Sequence, residues 1–496
     1  MIKDKLQSFR HPEPRLQSSW NYVLFGLWIF PLTPFLGAVG IVLVSLGIWL
    51  RQYRTIIRRP QNLGFVFLSL LLIITAGFAY DKPTAFLGLF NLLPFFIIFA
   101  AFSTLIQTTV QLRQLSWILV TTSLPVVIIG LGQLFLGWNF KLKVLWIVID
   151  WTLEPGGDPP GRMASIFMHA NTLAGYLMLV FILALGLWLE SYQQLRAYWK
   201  RGGERGRGRE GEEISHTPQR HGFQLREPIK VLLNGSRRSD FSTTLIGSSP
   251  RTFLFLSVVV IANFAALILT DSRNAWVIAI FACLTYAIYQ GWHILVAFVG
   301  GVATSVILAA FAPSPISLLF RKFVPAFFWA RLNDQLYPDR PVALLRKTQW
   351  EFAWSLTQQR PWTGWGLRNF TQLYNAQMHV PLGHPHNFFL MLSCETGLPT
   401  TLVFLGTIGW IFIGGVQILQ SRTTKLAPSG SQFIHQEDRL IFFSYLVTFG
   451  GLVLFNTVDV SLFDFRLNTI SWVLLSAVSG VVYSYKQRHR HQKVSI

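Results

Sequence analysis

The chain of 496 residues is long enough for about three average soluble domains, but its composition argues against that organisation. Hydrophobic residues make up 52% of the chain and charged residues only 13%, whereas soluble domains carry about 25% charged residues. Together with a mean hydropathy of +0.43, this composition excludes a disordered chain, a disulfide scaffold and an ordinary cytosolic enzyme. It predicts an all-α, polytopic integral membrane helix bundle.

The net charge of +20 has two explanations. A strongly basic chain is typical of nucleic-acid binding, but in a membrane protein Lys and Arg collect in cytoplasmic loops and fix the orientation. We therefore expect membrane lipids around this chain and no nucleic-acid partner. The two cysteines, Cys283 and Cys394, lie in apolar stretches without metal-type spacing, so small buried side chains are expected.

Apolar stretches predict about twelve membrane passes, because about 20 helical residues cross the hydrocarbon core. The stretch 20–50 is too long for one pass, since its helix would reach ~46 Å at ~1.5 Å per residue. Pro31 and Pro34 lie near its middle, so two short passes are predicted there. The other predicted passes are 63–79, 85–106, 115–137, 164–189, 252–270, 275–290, 292–312, 388–418, 440–456 and 468–485.

Twelve passes place both termini on one side of the membrane. Of the 42 Lys and Arg residues, 28 lie in segments that this topology assigns to the cytoplasm. The short basic segments 51–62 and 486–496 are the best evidence, because long loops are weak orientation signals. The predicted organisation is a cytoplasmic N-terminus (1–19), N-terminal transmembrane helices (20–189), a basic cytoplasmic loop (190–251), central transmembrane helices (252–312), a periplasmic loop (313–387), C-terminal transmembrane helices (388–485) and a cytoplasmic tail (486–496).

The two long polar segments differ in character. Residues 190–251 are rich in Gly, Arg, Glu and Ser, which predicts a disordered loop, with lipid-headgroup contact as the alternative. Residues 313–387 hold several Trp, Phe and Leu at helix-like intervals and are expected to fold. A helix is predicted from Pro341 to Leu356, with Trp350 and Trp354 on one face as part of a small core or an interfacial belt.

Two arginines lie at the ends of predicted passes, on the side of the membrane assigned to the folded loop 313–387. Arg162 precedes the pass 164–189, and Arg273 lies in a tight turn between two passes. A pair of guanidinium groups suits a phosphate or diphosphate, because each binds such oxygens bidentately. The structural alternatives are that Arg162 reaches lipid headgroups and that Arg273 pairs with Asp271.

Histidines lie where the loop re-enters the membrane. His386 and Asn387 directly precede the pass 388–418, and His384 is close by. A His near neutral pH suits acid/base chemistry. No metal is predicted, because prolines break the spacing of these histidines and the stretch contains no carboxylate or Cys. Glu395 is the only acidic residue expected inside a pass, so either a pairing role or a catalytic role is expected for it.

In these motifs the sequence resembles the O-antigen ligase family, with its related O-antigen polymerases and O-oligosaccharyltransferases. The resemblance extends over about residues 162–400, roughly half the chain. The chain is also similar to the family branch of proposed inorganic-carbon transporters. The matching pieces are Arg162-Met-Ala-Ser-Ile-Phe with Asn171, Ser272-Arg273-Asn-Ala-Trp276, Arg346 with Trp350, Pro361 with Gly364-Trp-Gly366 and Phe370, His386-Asn387-Phe-Phe-Leu, and Glu395-Thr-Gly397-Leu.

The resemblance implies a membrane glycosyltransferase that uses a polyprenyl-diphosphate-linked glycan and needs no metal or nucleotide cofactor. It implies that Arg162 and Arg273 hold the donor diphosphate and that His386 is the catalytic residue. Arg346 would support the site from the loop. Supporting positions without a specific role are Asn387, Glu395 and His384.

The sequence therefore predicts an O-antigen ligase-like enzyme of the inner membrane with cytoplasmic termini. It would move a glycan from its polyprenyl-diphosphate carrier to a lipid or polysaccharide acceptor on the periplasmic side, as in lipopolysaccharide biosynthesis. One alternative is a transporter of a small anion such as bicarbonate, with the arginines as its entry site. Another is a non-catalytic membrane component of a polysaccharide assembly complex.

Overall fold

A computed structural model describes residues 10–144, 149–213, 249–332, 341–421 and 436–494. Most of this part of the chain is helical, which confirms the predicted fold class. The helices of the N-terminal half are α1 (Gln17–Ile29), α2 (Pro34–Ile57), α3 (Pro60–Gly77), α4 (Lys82–Gly88), α5 (Leu93–Leu105), α6 (Thr109–Phe135) and α7 (Ala170–Glu213). Those that follow are α8 (Pro250–Leu269), α9 (Arg273–Gln290), α10 (His293–Phe311), α11 (Ile316–Arg321), α12 (Ala326–Leu332), α13 (Arg346–Gln359), α14 (Phe370–Met378), α15 (Phe388–Gln420), α16 (Gln436–Asn456) and α17 (Phe465–Val494).

Each predicted pass corresponds to a helix or, for 85–106, to the consecutive helices α4 and α5. Within the described residues, ten spans are long and apolar enough to cross a membrane, so the chain is a multi-pass membrane protein. The two remaining predicted passes are α1, which has 13 residues, and α9, which has 18. Both pack in the bundle, α1 against α2 and α6, and α9 against α7 and α16.

The apolar stretch 20–50 is divided as its prolines predict. Helix α1 ends at Ile29, and α2 begins with Pro34 as its first residue, where the missing N–H costs no helical hydrogen bond. Helix α2 then continues to Ile57, beyond the predicted end of the pass, with a kink at Gln52.

Two features depart from the sequence prediction. Strands β1 (Phe140–Val144) and β2 (Ile149–Leu153) form a small antiparallel hairpin in an otherwise helical fold. Helix α7 continues to Glu213, so the first part of the predicted disordered loop 190–251 is helical. Extending a formed helix adds a hydrogen bond for each residue fixed, whereas starting one is costly, so the membrane pass carries the helix onward. Residues 214–248 of that loop lie outside the described residues.

The bundle has two polar ends. One end, here called the loop end, carries residues 341–387, the turn between α3 and α4, the turn between α8 and α9, and the segment between α16 and α17. At the opposite end, Arg113 of α6 donates to Glu190 of α7 and to Asp438 of α16, at 2.6 and 2.8 Å. His11 also lies at this opposite end, where its Nε2 contacts the Leu105 carbonyl at 2.8 Å. Together with a hydrogen bond from Gln107 to Glu13, these contacts bring parts of the segments 1–19, 107–114, 190–251 and 419–439 to one end of the bundle. The side of the membrane that this end faces stays a prediction.

The loop that carries α13 and α14 has its own small core. Phe352 and Leu356 of α13 pack against Phe370 and Tyr374 of α14. The predicted helix start at Pro341 is wrong, because a 3₁₀ turn at Val342–Leu344 comes first and α13 begins at Arg346. The face with Trp350 and Trp354 is not the core face, since Trp354 is 47% exposed.

A backbone joint fixes this loop to α15. The Trp365 and Gly366 N–H groups donate to the carbonyls of Cys394 and Glu395, at 2.9 and 2.7 Å. Gly364 and Gly397 have positive φ of 65° and 79°. A Cβ on Gly364 would lie 2.4 Å from the Glu395 carbonyl carbon, so the close approach requires glycine. The joint holds the loop over the end of the bundle.

Candidate functional site

Arg162 is held at the loop end by two hydrogen bonds. Its Nε donates to the Thr270 carbonyl at 2.8 Å, and its Nη2 donates to Asn171 Oδ1 at 2.6 Å. The backbone next to Arg162 is bonded to the same region, because the Met163 N–H donates to the carbonyl of Leu269, the last residue of α8, at 2.8 Å. The segment before α7 therefore lies against the turn between α8 and α9.

That turn also brings Arg273 and Arg346 into the same region. Arg273 is the first residue of α9, and Arg346 is the first residue of α13. The Arg346 Nη1 donates to Asn274 Oδ1 at 3.5 Å, which links the loop to the residue after Arg273. The three arginines that the sequence singled out thus come from segments that converge on one turn.

His386 pairs with a carboxylate from a distant part of the chain. Its Nδ1 lies 3.2 Å from Oδ1 of Asp459, in the segment between α16 and α17. Asp459 is only 7% exposed, and its Oδ1 also accepts from the Val460 N–H at 2.9 Å. The carboxylate is therefore fixed, and it is placed to hold the His386 ring and select its tautomer.

His384 is the second ring of this group. Its Nδ1 accepts from the His386 N–H at 3.2 Å, and the two rings meet edge to face with centroids 4.5 Å apart. The ring also stacks on Phe463, at 5.9 Å. These contacts place His384 directly beside the His386–Asp459 pair.

Burial and the charge of neighbouring residues determine the ionisation of His384 and Asp459. Burial lowers the pKa of His384 to about 4, and the charge of His386 acts in the same direction, so His384 is neutral near pH 7. Burial raises the pKa of Asp459, but the hydrogen bond and the charge of His386 together outweigh this effect. The pKa of Asp459 is therefore below its usual value. Asp459 is accordingly ionised and His384 uncharged.

Several residues here have a left-handed backbone that is uncommon for non-glycine residues. Ser165 and Met168 lie after Arg162, Asp271 precedes Arg273, and His386 itself has a φ of 49°. Arg368, with a φ of 64°, lies 6.0 Å from the Phe463 ring that His384 stacks on. Such conformations cost of order 1–3 kcal/mol each and are concentrated at functional sites.

Asn387 and Glu395 have contacts of a different kind. Asn387 caps α15, because its Oδ1 accepts from the Leu390 N–H at 3.0 Å. Glu395 is 1% exposed, and its Oε1 accepts from the Phe370 N–H at 3.2 Å at the start of α14. Glu395 thus contacts the joint of the loop, and no contact among those described links it to His386 or to the arginines.

The fold adds a carboxylate that the sequence analysis missed. Asp459 lies 73 residues after His386, and no local pattern distinguishes it from an ordinary turn residue. The prediction of no metal rests on the stretch around the histidines alone, which contains no carboxylate. In the structure His384, His386 and Asp459 each place one possible ligand atom within 4.8 Å of the others.

An apolar groove begins beside this group and follows the bundle. Its accessible volume is about 640 Å³, and it lies between α15, α16 and α17. Phe388 and Phe389, which follow His386 and Asn387, line one part, and Ser461 and Leu462, which follow Asp459, line another. Farther along, the lining includes Gly409, Phe412, Val416, Leu419, Leu446 and Gly450. His384, His386 and Asp459 are not among the lining residues, but the lining includes Phe388 and Ser461, each two residues after a member of the group.

The comparison with protein families supports the resemblance found in the sequence. Residues 258–405 match the family model described as O-antigen ligase. The match includes Arg273, Arg346, His386 and Glu395, and it associates the chain with membrane proteins that transfer glycans as ligases or polymerases. It does not support the inorganic-carbon transporter branch. A search of curated proteins found no match.

Proposed function

Because residues 258–405 match the O-antigen ligase family model, we propose that this protein transfers a glycan from a polyprenyl-diphosphate carrier to an acceptor hydroxyl. The observation that carries the proposal is the His386–Asp459 pair, which lies at the loop end with the arginines, next in sequence to residues that line an apolar groove. The proposed setting is the inner membrane, with the loop end on the periplasmic side and both termini in the cytoplasm. Donor sugar and acceptor would be components of a cell-surface polysaccharide or glycolipid.

The proposed reaction is a single displacement at the anomeric carbon. The acceptor oxygen forms a bond to that carbon while the bond from the carbon to the diphosphate oxygen breaks, and the electron pair leaves with the lipid diphosphate. His386 accepts the proton of the acceptor hydroxyl. No metal or nucleotide is needed for this balance.

The pairing with Asp459 suits His386 for the role of base. If Nδ1–H donates to the ionised Asp459, the lone pair of the His386 ring is on Nε2, which is then available to the acceptor. The carboxylate also stabilises the imidazolium that forms. His384 is neutral, so it adds no positive charge that would oppose this proton transfer.

The proposed role of Arg162 and Arg273 is to bind the diphosphate and to stabilise its growing charge. Arg162 has two of its donor groups engaged with Thr270 and Asn171, so its guanidinium is already fixed before the donor binds. Donors oriented in advance toward developing charge are worth most, and the loss of one commonly reduces the rate about 10²–10³-fold. Arg346 would hold the loop in register through Asn274.

The groove is proposed to receive the lipid tail of the donor. A polyprenyl chain is apolar and long, and the groove is lined almost entirely by apolar side chains over the length of α15 from Phe388 to Leu419. Its polar mouth lies at Ser461 and Asn456, next to Asp459. We propose that a lipid diphosphate whose tail lies in the groove has its head group near His386 and Asp459, whose neighbours in the sequence line the groove.

The test is reconstitution of the purified chain with a polyprenyl-diphosphate glycan and candidate acceptors. We expect release of lipid diphosphate together with glycosylated acceptor, and the loss of both in His386→Ala, while expression and membrane insertion persist. Full transfer by His386→Ala would contradict the catalytic assignment. Bicarbonate flux in proteoliposomes that lack any lipid-linked sugar would favour the anion-transport alternative instead.

A further inference from the structure

The group formed by His384, His386 and Asp459 has the composition of a metal site. Each residue offers one ligand atom, and all three atoms lie within 4.8 Å of one another. Two imidazole nitrogens and one carboxylate oxygen are a ligand set that Zn²⁺ uses in open sites with three protein ligands and a free fourth position. Two of the ligands lie on one short segment, and Asp459 comes from between α16 and α17.

The spacing is close to what a bound ion requires. With metal–ligand bonds of about 2.0–2.1 Å, two ligands of a tetrahedral ion lie about 3.4 Å apart. His386 Nδ1 and Asp459 Oδ1 are already 3.2 Å apart, near this value. The possible ligand atoms lie no more than 4.8 Å apart, so their separations have to shorten by about 1.4 Å at most when an ion binds.

The surroundings favour a borderline transition metal over a hard cation. The carboxylate is buried and fixed by the Val460 N–H, so it does not have to be ordered when an ion binds. Both histidines are partly exposed at the loop end, which leaves a path for an ion from solvent. Nitrogen donors suit Zn²⁺, Cu²⁺ and Ni²⁺, whereas Mg²⁺ and Ca²⁺ prefer sets made of oxygen ligands only.

We propose that His384, His386 and Asp459 form a binding site for a divalent transition metal, represented by Zn²⁺, and that the bound ion inhibits the enzyme. The inhibition rests on the proposed function, whereas the binding site rests on the geometry alone. An ion between His386 Nδ1 and Asp459 Oδ1 replaces the hydrogen bond that orients the base. A metal on Nδ1 also leaves the ring proton on Nε2, which removes the lone pair that accepts the proton of the acceptor.

Direct binding is the first test. The full chain, purified in detergent with an affinity tag that contains no histidine, is titrated with ZnCl₂ in the presence of excess Mg²⁺. We expect one saturable equivalent of Zn²⁺, with affinity weakened roughly tenfold or more in His384→Ala and in Asp459→Asn. His379→Ala is the matched control, because His379 lies in the same loop but outside the group, and it should bind Zn²⁺ as the wild type does.

Two results would overturn the site: the absence of a saturable equivalent, or binding that persists unchanged in both variants. A second measurement covers a variant that folds poorly. Co²⁺ bound to the wild-type protein should give visible d–d absorption, and this absorption should be lost on addition of Zn²⁺ and should change in the milder variant His384→Gln. A cobalt spectrum identical in His384→Gln and wild type would also contradict the site.

The transfer assay separates the two halves of the proposal. Zn²⁺ at the concentration that saturates the site should abolish transfer by the wild-type protein, and EDTA should restore it. Full transfer with the site saturated would overturn the inhibition and leave the proposed function intact. Zn²⁺ binding that depends on His384 and Asp459, in a protein that transfers no glycan under any condition, would overturn the proposed function and retain the metal site.

Discussion

Among single residues, the sequence indicates His386 and the arginines as candidates for the chemistry, but it does not indicate the carboxylate that pairs with His386. His386 and the arginines stand out because charged and titratable groups are costly near a membrane. Asp459 is fixed by Val460 and contacts His386 only in the folded chain, 73 residues away along the sequence. Glu395 also stands out because a buried carboxylate is costly in a membrane. In the fold, however, its side chain contacts the joint between the loop and α15.

The substitution Asp459→Asn tests the proposed pair. It keeps the size of the side chain but removes the charge that stabilises the His386 imidazolium, so we expect kcat for transfer to fall by about 10²-fold or more. The measurement is the initial rate of lipid diphosphate release at saturating donor. Glu351→Gln is the control, because this exposed carboxylate at the same end contacts Lys347 at 3.8 Å, and it should leave the rate unchanged. A normal rate in Asp459→Asn would exclude the proposed pairing.

The same pair has a consequence for the dependence of stability on pH. The pKa of Asp459 is lower in the folded protein than its usual value, so its contribution to stability is present above the usual pKa and is lost as pH falls through the folded pKa. We expect the difference in melting temperature between wild type and Asp459→Asn to shrink as the pH is lowered below about 4. A difference that grows toward acid pH would mean that Asp459 is not held as a carboxylate.

At the scale of elements, hydropathy predicts the helices well and their ends poorly. The passes correspond to helices because about 20 apolar residues have few other stable forms in a membrane. The ends of α7 and α13 were not predictable, because helix propagation and a 3₁₀ turn depend on neighbours that a hydropathy pattern does not describe. The β1–β2 hairpin was missed because each strand has only five residues.

The groove along α15 gives a prediction with a matched control. Gly409 and Gly450 line the groove, and a Cβ on either would meet no atom within 4 Å. Gly409→Trp should therefore accommodate its Cβ and extend its ring into the groove, which should raise KM for a long-chain polyprenyl donor and affect a short-chain donor less. Gly406→Trp lies on the same helix, equally uncrowded but outside the groove lining, and should leave both KM values unchanged. Equal effects of the two variants would exclude the groove as the tail site.

The joint between the loop and α15 is predicted to control stability. In Gly364→Ala the new Cβ would face the Glu395 carbonyl carbon at 2.4 Å, and the left-handed backbone alone costs about 1–2 kcal/mol. We expect a lower melting temperature in detergent, as measured by scanning fluorimetry. Gly383→Ala, in the same loop with open space around its Cβ, should melt like the wild type. A melting temperature of Gly364→Ala equal to that of the wild type would show that the joint does not hold the loop.

At the scale of the whole molecule, the arrangement depends on contacts between segments that are far apart in the sequence. The charge pattern divided the segments into two groups, and the fold gathers those groups at the two ends of the bundle. The sequence does not indicate which segments contact one another at each end of the bundle. That Arg162 meets the turn after α8, and His386 the segment after α16, follows from helix packing.

Single cysteines test this division after Cys283 and Cys394 have been replaced. Gln377 is exposed at the loop end, and Gln487 is exposed on α17 at the opposite end. An impermeant thiol reagent applied to the periplasmic side should label Gln377→Cys and spare Gln487→Cys. Labelling of both from one side, or of Gln487→Cys alone, would contradict the proposed orientation.

We expect glycan transfer to occur at the loop end and to depend on His386. The most direct measurement uses proteoliposomes in which thiol labelling of Gln377→Cys defines the face that carries the loop end. Donor and acceptor are supplied to one face at a time, and released lipid diphosphate and glycosylated acceptor are counted. The account predicts one diphosphate per transferred glycan, only from the loop face, and none with His386→Ala. Transfer from the opposite face, or undiminished transfer by His386→Ala, would contradict it.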